Sequence, residues 1–280
     1  MTERKRALAA LLALLLLLPL AGCGKASSPA PLELTLLQVG KADAIVLRCG
    51  GETLVLDAGD AAGGERTLRL LQDQGAERID VLLLTHFDKD HIGGAPALLA
   101  AMPVGRVLIP DYEGEGAAYE ALLLALDAAG VEAERLDRAV EFDLGDARVL
   151  VEPPEDYRSR GEGEQDNNFS LITTVRHGNL RLVFAGDAEK RRIRQYLRGD
   201  SAQPCDFLKL PHHGVYGPAL ETLLDRLQPA VVVICDSNSS PADSRTLELL
   251  RQRQIRVYET RRGDVRIVSD GVSLQTEQDG

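Results

Sequence analysis

The chain has 280 residues, 44% of them hydrophobic and 27% charged, which is long enough for one large domain and too apolar for a disordered protein. Its formal net charge at pH 7 is −11, and it contains no Trp. An acidic surface repels phosphate backbones at long range, which argues against a dedicated nucleic-acid-binding protein but does not exclude a phosphodiester held by metal ions.

The N-terminus has the pattern of a bacterial export signal over residues 1–22. Three charged residues at 4–6 precede an apolar run at 7–22 that is short for a membrane span. Residues 20–23 (LAGC) match the lipobox of bacterial lipoproteins, which predicts that Cys23 is lipidated. An uncleaved membrane anchor is the alternative. Both interpretations predict an extracytoplasmic protein held on the bacterial cell membrane, with residues 23–31 as a flexible tether.

Apolar runs with tight turns between them predict three strands, at 32–39, 44–49 and 53–57. A helix is predicted at 65–74, where leucines recur at helical spacing before a glycine. The next apolar run, at 81–84, predicts a buried strand that ends at a cluster of charged residues.

That cluster contains the first candidate metal ligands. His86, Asp88, Asp90 and His91 lie between the buried strand and a Gly-Gly pair that precedes an apolar helical stretch. At this spacing the four side chains converge only where a strand gives way to a loop and the start of a helix. Imidazole and carboxylate together suit one or two divalent metals. The alternative is a solvated acidic turn with two surface histidines.

Further strands and helices are predicted along the rest of the chain. The predicted strands are at 104–109, 140–144, 147–151, 180–184, 206–210, 230–234 and 256–258, with another opening in 166–172 and a terminal hairpin at 265–272. The predicted helices are at 95–102, 117–129, 220–227 and 246–251. Residues 153–165 are polar and are predicted to form a loop near the mouth of the site.

Several strand ends carry more candidate site residues. Asp187 follows the strand at 180–184, and the pair His212 and His213 follows the strand at 206–210. We favour His212 as the ligand, with His213 supporting it or contacting substrate, and the reverse assignment stays open. The carbonyl oxygen of Asn168 could reach a metal or hold a water, or the residue could belong to a plain loop. His177, in a His-Gly turn, is predicted to lie on the surface.

Three cysteines other than Cys23 have a spacing that fits no zinc framework. Cys49, Cys205 and Cys235 are predicted to be buried free thiols. A Cys205–Cys235 disulfide is the alternative, since both cysteines fall on late strands.

The segment from His86 to His91 resembles the HxHxDH motif of the metallo-β-lactamase superfamily, with Asp88 in place of the middle His. This variant is similar to the hydrolase domain of ComEC proteins, which internalise DNA. Other elements resemble that group in the expected order, and the likeness spans residues 32–275. They are VGKADA at 39–44, LVLDAG at 54–59, NNFSL at 167–171, FAGD at 184–187 and LKLPHHG at 208–214. A Gly-His-Pro found in many members is replaced by Ser-Ser-Pro at 239–241.

The resemblance implies a single α/β domain at 32–280 with the four-layer αββα sandwich of the superfamily. It implies that one or two divalent metals are bound, and that Asp90 and Asp187 take part in catalysis. The predicted ligands are His86, Asp88, Asp90, His91, Asp187 and His212. Replacing an imidazole by Asp88 makes the ligand set harder and shifts its metal preference from Zn²⁺ towards Mn²⁺, with Mg²⁺ possible.

Four residues are predicted to support the metal site or contact substrate. Asp57 would fix the metal loop by hydrogen bonds, and Asn168 and His213 would lie beside the ligands. Lys209 would help to neutralise a phosphate, unless it is a solvated strand lysine.

The function implied is that of an exported, membrane-anchored metal-dependent hydrolase, a phosphodiesterase or nuclease that acts as a monomer on phosphate-ester or nucleic-acid substrates. Its contact with the membrane would be through the N-terminal lipid. The alternatives are a hydrolase of another small ester, such as a phosphocholine ester or a lactone, and a binding lipoprotein without catalysis.

Overall fold

A computed structural model describes residues 29–157 and 166–279. The predicted signal at 1–22, the lipidation site Cys23, most of the tether and the larger part of the loop predicted at 153–165 lie outside these ranges. The strands are β1 (Leu32–Leu36), β2 (Ala44–Cys49), β3 (Glu52–Ala58), β4 (Ile79–Leu83), β5 (Val104–Pro110), β6 (Ala133–Leu136), β7 (Val140–Leu144), β8 (Ala147–Glu152), β9 (Ile172–His177), β10 (Leu180–Phe184), β11 (Phe207–Lys209), β12 (Val231–Ile234), β13 (Arg256–Glu259), β14 (Val265–Ser269) and β15 (Leu274–Gln278). The helices are α1 (Ala61–Asp73), α2 (Lys89–Ile92), α3 (Ala95–Ala101), α4 (Ala117–Ala129), α5 (Lys190–Tyr196), α6 (Leu220–Leu227) and α7 (Ser244–Gln252).

The strands form two sheets. One sheet has the order β15-β14-β1-β2-β3-β4-β5-β6, and the other has the order β13-β12-β11-β10-β9-β8-β7. Strands β3 to β6 run parallel in the first sheet, and β10 to β13 run parallel in the second. Neighbouring parallel strands place their carboxyl ends at one edge of a sheet, so the segments that follow them are brought together.

Three apolar layers hold the molecule together. Side chains of both sheets, such as Leu47 of β2 and Phe184 of β10, form one buried cluster between the sheets. A second cluster packs α1, α3 and α4 on the outer face of the first sheet, and a third packs α5, α6 and α7 on the outer face of the second. Three apolar layers between four layers of secondary structure confirm the predicted αββα sandwich.

Two glycines let α1 and the start of α3 approach backbone to backbone. A Cβ added to Gly94 would lie 2.1 Å from the carbonyl oxygen of Ala58 and 2.5 Å from Cα of Gly64. No side chain fits at such a contact, so Gly64 and Gly94 are required by packing. The close approach anchors the C-terminal end of the segment that carries the clustered His and Asp residues.

The structure confirms most predicted elements and adds others. Five of them coincide with the prediction to the residue, namely β2, α4, β7, β10 and α6. Strand β6 and helix α5 were not predicted, because β6 carries two charged residues among four and α5 has four cations among seven. The terminal hairpin extends further than predicted, since its second strand is β15. Within the two described ranges, the helices are all too short or too polar to span a membrane.

The prediction that His177 lies on the surface was wrong. Its ring is buried, with Nδ1 2.7 Å from Oγ of Ser269 and Nε2 2.9 Å from the carbonyl oxygen of Ala30. It therefore ties the end of β9 to the first sheet and to the segment before β1. Cys49, Cys205 and Cys235 are buried free thiols, as predicted.

Candidate metal centre

The candidate site lies where both sheets end. Asp57 is close to the end of β3, and the segment containing His86 and His91 follows β4. From the second sheet, Asp187 follows β10 and His213 follows β11. The structure thus brings together side chains that are far apart in the sequence, as the strand-end pattern predicts.

Asp57 organises the segment after β4. Its Oδ1 accepts a hydrogen bond from the backbone N–H of Thr85 at 2.7 Å, and its Oδ2 accepts one from Oγ1 of Thr85 at 2.8 Å. Nδ1 of His91 lies 2.8 Å from the same Oδ2. Asp57 itself has a positive φ of 56°, an uncommon conformation that aims its carboxylate into the loop. The predicted supporting role of Asp57 agrees with these contacts.

Hydrogen bonding fixes the side of each histidine ring that carries a proton. A carboxylate only accepts, so Nδ1 of His91 donates to Asp57. A carbonyl oxygen also only accepts, so Nδ1 of His213 donates to that of Cys235, 2.8 Å away. The hydroxyl of Thr85 donates its hydrogen bond to Asp57, so its Oγ1 accepts one from Nδ1 of His86 at 3.0 Å. In all three rings these hydrogen bonds use Nδ1, so Nε2 is available to bind another partner.

Those three Nε2 atoms belong to one cluster of histidine and aspartate side chains, and each is buried without a hydrogen-bond partner in the described part of the chain. Nε2 of His91 is 3.4 Å from Oδ1 of Asp187, and Nε2 of His213 is 3.1 Å from Oδ2 of the same residue. Ligand atoms of His86, His91 and Asp187 lie within 4.8 Å of one another, as do those of Asp90, His91 and His213. Buried, unpartnered imidazole nitrogens beside carboxylates are the donor set of a transition-metal site, so these residues fit one or two divalent ions.

The structure favours the reverse of the assignment that we preferred for the adjacent histidines. His213 is the buried residue whose ring faces Asp187 and Asp90, and Nε2 is 3.5 Å from Oδ2 of Asp90. His212 is partly exposed, and its Nδ1 lies 3.3 Å from Oε1 of Glu189 outside the cluster. Both histidines have positive φ values, 48° and 51°, and this turn points their side chains in different directions.

Asp88 and Asp90 occupy different positions around the cluster. Asp90 belongs to one of the possible metal-holding groups, whereas Asp88 belongs to none of those formed by described residues. Oδ2 of Asp88 nevertheless lies 3.6 Å from Nε2 of His86, on a side chain that is 45% exposed. Asp88 therefore stands at the open edge of the site, beside His86.

Lys209 is neither solvated nor placed to meet a substrate. It is fully buried, and its Nζ contacts Oδ2 of Asp43 and lies 3.5 Å from Oδ1 of Asp187. Nζ also donates to the carbonyl oxygen of Gly186 at 3.0 Å. Lys209 is thus an internal counter-charge beneath the site. Sequence reasoning missed this role because the burial of a strand lysine depends on carboxylates that arrive from other segments.

Asn168 also takes a different role from the one considered for a metal. Its Oδ1 accepts from the backbone N–H of Arg192 at 3.1 Å and so binds the first turn of α5. The neighbouring Asn167 contacts the residues beside the cluster instead, where its Nδ2 lies 3.1 Å from Oε1 of Glu189 and 3.5 Å from Nε2 of His212.

Charges within the cluster shift its protonation. Burial lowers the pKa of both His91 and His213, but neighbouring carboxylates together outweigh it. Those of Asp187, Asp57 and Asp43 raise the pKa of His91 well above its usual value, and those of Asp187, Asp90 and Asp43 raise the pKa of His213 to about 9. Burial would raise the pKa of Asp187, yet the charges of His213, His91 and Lys209 hold it well below its usual range. Without a metal the ring of His213 therefore keeps both its protons at neutral pH, and a metal ion that binds at its Nε2 must displace one of them.

A family model for the metallo-β-lactamase superfamily matches residues 37–235, more than half of the chain. The chain belongs to the metallo-β-lactamase superfamily. It is a metal-dependent hydrolase of that superfamily, with the two-sheet sandwich and the histidine and aspartate cluster at the sheet edge.

Two curated proteins are similar to this superfamily member. This chain is 30% identical over 201 residues to ComE operon protein 3 of Bacillus subtilis (strain 168). The alignment covers 70% of this chain and 25% of the relative. It is 25% identical over 210 residues to Recombination protein 2 of Haemophilus influenzae, with coverage of 73% and 24%. The chain therefore spans about a quarter of the length of these relatives.

A solved structure agrees with the fold. The metallo-β-lactamase fold protein YhfI from Bacillus subtilis superposes with a TM-score of 0.54 at 10% identity, covering 89% of this chain and 100% of that protein. At this identity the likeness concerns the fold alone. The resemblance to the ComEC group inferred from the motifs is confirmed by the match to ComE operon protein 3.

Proposed function

We propose that this hydrolase is an exported, lipid-anchored phosphodiesterase that cleaves single-stranded nucleic acid or a smaller phosphodiester. The observation that carries the proposal is the set of three buried Nε2 atoms, on His86, His91 and His213, that lie beside Asp187 without hydrogen-bond partners. One or two divalent ions held there would supply an activated water and neutralise charge on the phosphate.

The protein side chains have separate tasks in this proposal. His86, His91, Asp187 and His213 hold the ions, and the hydrogen bonds to each Nδ1 keep the rings oriented with Nε2 free. Asp90 is partly exposed beside His213 and orients the attacking water, or accepts its proton.

The phosphodiester class rests on two lines of support. The motif variant with Asp88 supplies an additional oxygen at the open edge of the site, and oxygen ligands suit Mn²⁺ and Mg²⁺, ions that commonly accompany phosphate substrates. The similarity to ComE operon protein 3 and Recombination protein 2 favours a nucleic-acid or phosphoester substrate. The metal is proposed as Mn²⁺ or Zn²⁺.

The test is a substrate screen with the purified full chain loaded with Mn²⁺ or Zn²⁺. We expect hydrolysis of bis-p-nitrophenyl phosphate and of a single-stranded oligonucleotide, with loss of at least a hundredfold in Asp187→Asn. Asp127→Asn, a matched change on the exposed end of α4, should keep full activity. A chain that binds metal but hydrolyses neither diester would contradict the proposal.

A second candidate is the hydrolysis of another small ester, such as a phosphocholine ester or a lactone. The net charge of −11 favours it over a nuclease, because the surface as a whole repels long polyanions. Turnover of these esters without turnover of the diesters would select this candidate. Less than one bound ion per chain after metal loading would instead favour a binding lipoprotein without catalysis.

Export and anchoring are proposed from the sequence at residues 1–23. Replacing Cys23 by Ser removes the thiol that a lipid would modify, so we expect the chain to leave the membrane fraction on cell fractionation. Continued membrane association of Cys23→Ser would favour an uncleaved anchor.

A further inference from the structure

A basic surface begins beside the metal centre and continues along helix α5. The helix begins at Lys190, three residues after Asp187, and Arg194 lies one turn further on. Arg198 follows two residues after Tyr196, the last residue of the helix. Residues four apart lie on one side of a helix, about 6 Å from each other along its axis. All three are exposed. A cationic row therefore stands out on a protein whose net charge is −11.

Two of these cations have no acidic partner among the residues that the structure describes. Arg198 is paired with Glu155, with its Nη2 2.9 Å from Oε2. Lys190 and Arg194 make no ion pair with any residue in 29–157 or 166–279, although most exposed arginines of the protein do. Unpaired, solvated cations are available to an incoming anion and lose little hydration before they meet it.

The buried side chain of Arg192 attaches helix α5 to the rest of the protein. Nε of Arg192 donates to the carbonyl oxygen of Ser170 at 2.8 Å, and Nη2 donates to that of Glu152 at 2.6 Å. Ile193 and Tyr196 pack into the core between the second sheet and its helices. The buried side of α5 is thus fixed in the protein, and this fixes the opposite side, with Lys190 and Arg194, towards solvent.

Lys190 connects this surface to the metal centre. It lines a depression of about 230 Å³ whose wall includes His212, Glu189 and Tyr216. It also lines a shallower depression of about 270 Å³ with Arg194 and Arg198. The first depression opens beside the turn that carries His213, and the second follows α5. The two depressions meet at Lys190, which lines both.

We propose that the surface formed by Lys190, Arg194 and Arg198 binds the phosphates of a single-stranded nucleic acid that lie beyond the scissile bond. This inference rests on the proposed phosphodiesterase function and deepens it, since it assigns a polymeric rather than a small substrate. The spacing of about 6 Å along α5 suits successive phosphates of an extended strand, and the depression between Lys190 and His212 receives the nucleotide that joins them to the metal centre. Local positive charge of this kind guides a polyanion to one edge of an otherwise acidic protein.

The test compares substrates of different length in the double variant Lys190→Gln, Arg194→Gln of the metal-loaded full chain. We expect KM for a 16-residue oligothymidylate to rise at least fivefold at low salt, whereas KM for the dinucleotide changes less than twofold. The slope of log KM against log salt concentration should fall by about 1.4, because each phosphate contact to a single strand contributes about 0.7. The control variant Arg69→Gln, Arg256→Gln removes the same charge from α1 and β13 and should leave the length dependence unchanged.

The possible outcomes separate this inference from the proposed function. If the wild-type chain cleaves no phosphodiester, the proposed function fails and no length comparison arises. If it cleaves both substrates but the double variant keeps the wild-type KM and salt slope for the oligonucleotide, the docking surface is overturned. Loss of binding to vesicles that contain phosphatidylglycerol, with unchanged KM for the oligonucleotide, would show instead that the surface contacts lipid headgroups and would also overturn the inference.

Discussion

Replacing Asp57 by Asn should reverse the direction of the hydrogen bonds that prepare two ligands. The amide keeps Oδ1 as an acceptor for the backbone N–H of Thr85 and presents two N–H groups where Oδ2 stood. One would donate to Nδ1 of His91, and the other to Oγ1 of Thr85, which would then donate its own proton to Nδ1 of His86. Both rings would consequently carry a proton on Nε2, the atom that a metal needs.

The expected loss of metal affinity follows from this reversal. Loss of a hydrogen bond that orients one metal ligand typically lowers metal affinity about 10- to 100-fold, or about 1.4–2.7 kcal/mol. Because the substitution affects His86 and His91 together, we expect the upper end of that range. Isothermal titration of the full chain with Mn²⁺ or Zn²⁺ measures the affinity, and circular dichroism checks that the chain stays folded.

Asp206→Asn provides the matched control. Asp206 also accepts a backbone N–H, that of Arg181 at 2.8 Å, but it lies away from the metal cluster. It should keep the wild-type metal affinity. An Asp57→Asn protein that is folded and binds metal within twofold of wild type would refute the argument from ring protonation.

Three more results are expected. Metal affinity should increase as the pH rises from 6 to 9, about tenfold per pH unit for each proton displaced, because the pKa of His213 is raised to about 9 in the metal-free site; a flat profile in a pH-resolved titration would contradict this. Lys209→Met should destabilise the metal-free protein by about 3–5 kcal/mol in urea unfolding, since it leaves buried carboxylates without their counter-charge, and a loss below 1 kcal/mol would count against that role. Gly94→Ala should destabilise the fold by at least about 3 kcal/mol because its Cβ overlaps the backbone, whereas Gly217→Ala, which meets nothing within 4 Å, should be nearly neutral in the same measurement.

Local patterns in the sequence predicted much of this fold. Apolar runs that end at a charged or turn residue predicted most of the strands, since a buried strand and the polar site that follows it leave a sharp boundary. The segment from His86 to His91 was predicted as a metal site for this reason, and so was Asp187. Asp57 was assigned to the metal loop by the family resemblance of residues 54–59, and a carboxylate at a strand end can accept hydrogen bonds from backbone N–H groups.

What the sequence could not predict depends on contacts between distant segments. The choice between His212 and His213 is made by two consecutive residues with positive φ, and nothing in a His-His pair indicates which ring turns inwards. The burial of Lys209 requires Asp43, which arrives from the other sheet. Helix α5 has only two buried apolar side chains, which are too few to show the spacing of a helix in the sequence. Neither the helix nor its exposed cations were therefore predicted.

The candidate metal centre combines residues from both sheets: His86 and His91 follow a strand of one, and Asp187 and His213 follow strands of the other. A cation bound there would join the two halves of the polypeptide as a reversible crosslink that the unfolded chain lacks. Each tenfold excess of free ion over its dissociation constant would then add about 1.4 kcal/mol to the free energy of unfolding. The lifetime of the folded enzyme would accordingly follow the supply of trace metal in its surroundings.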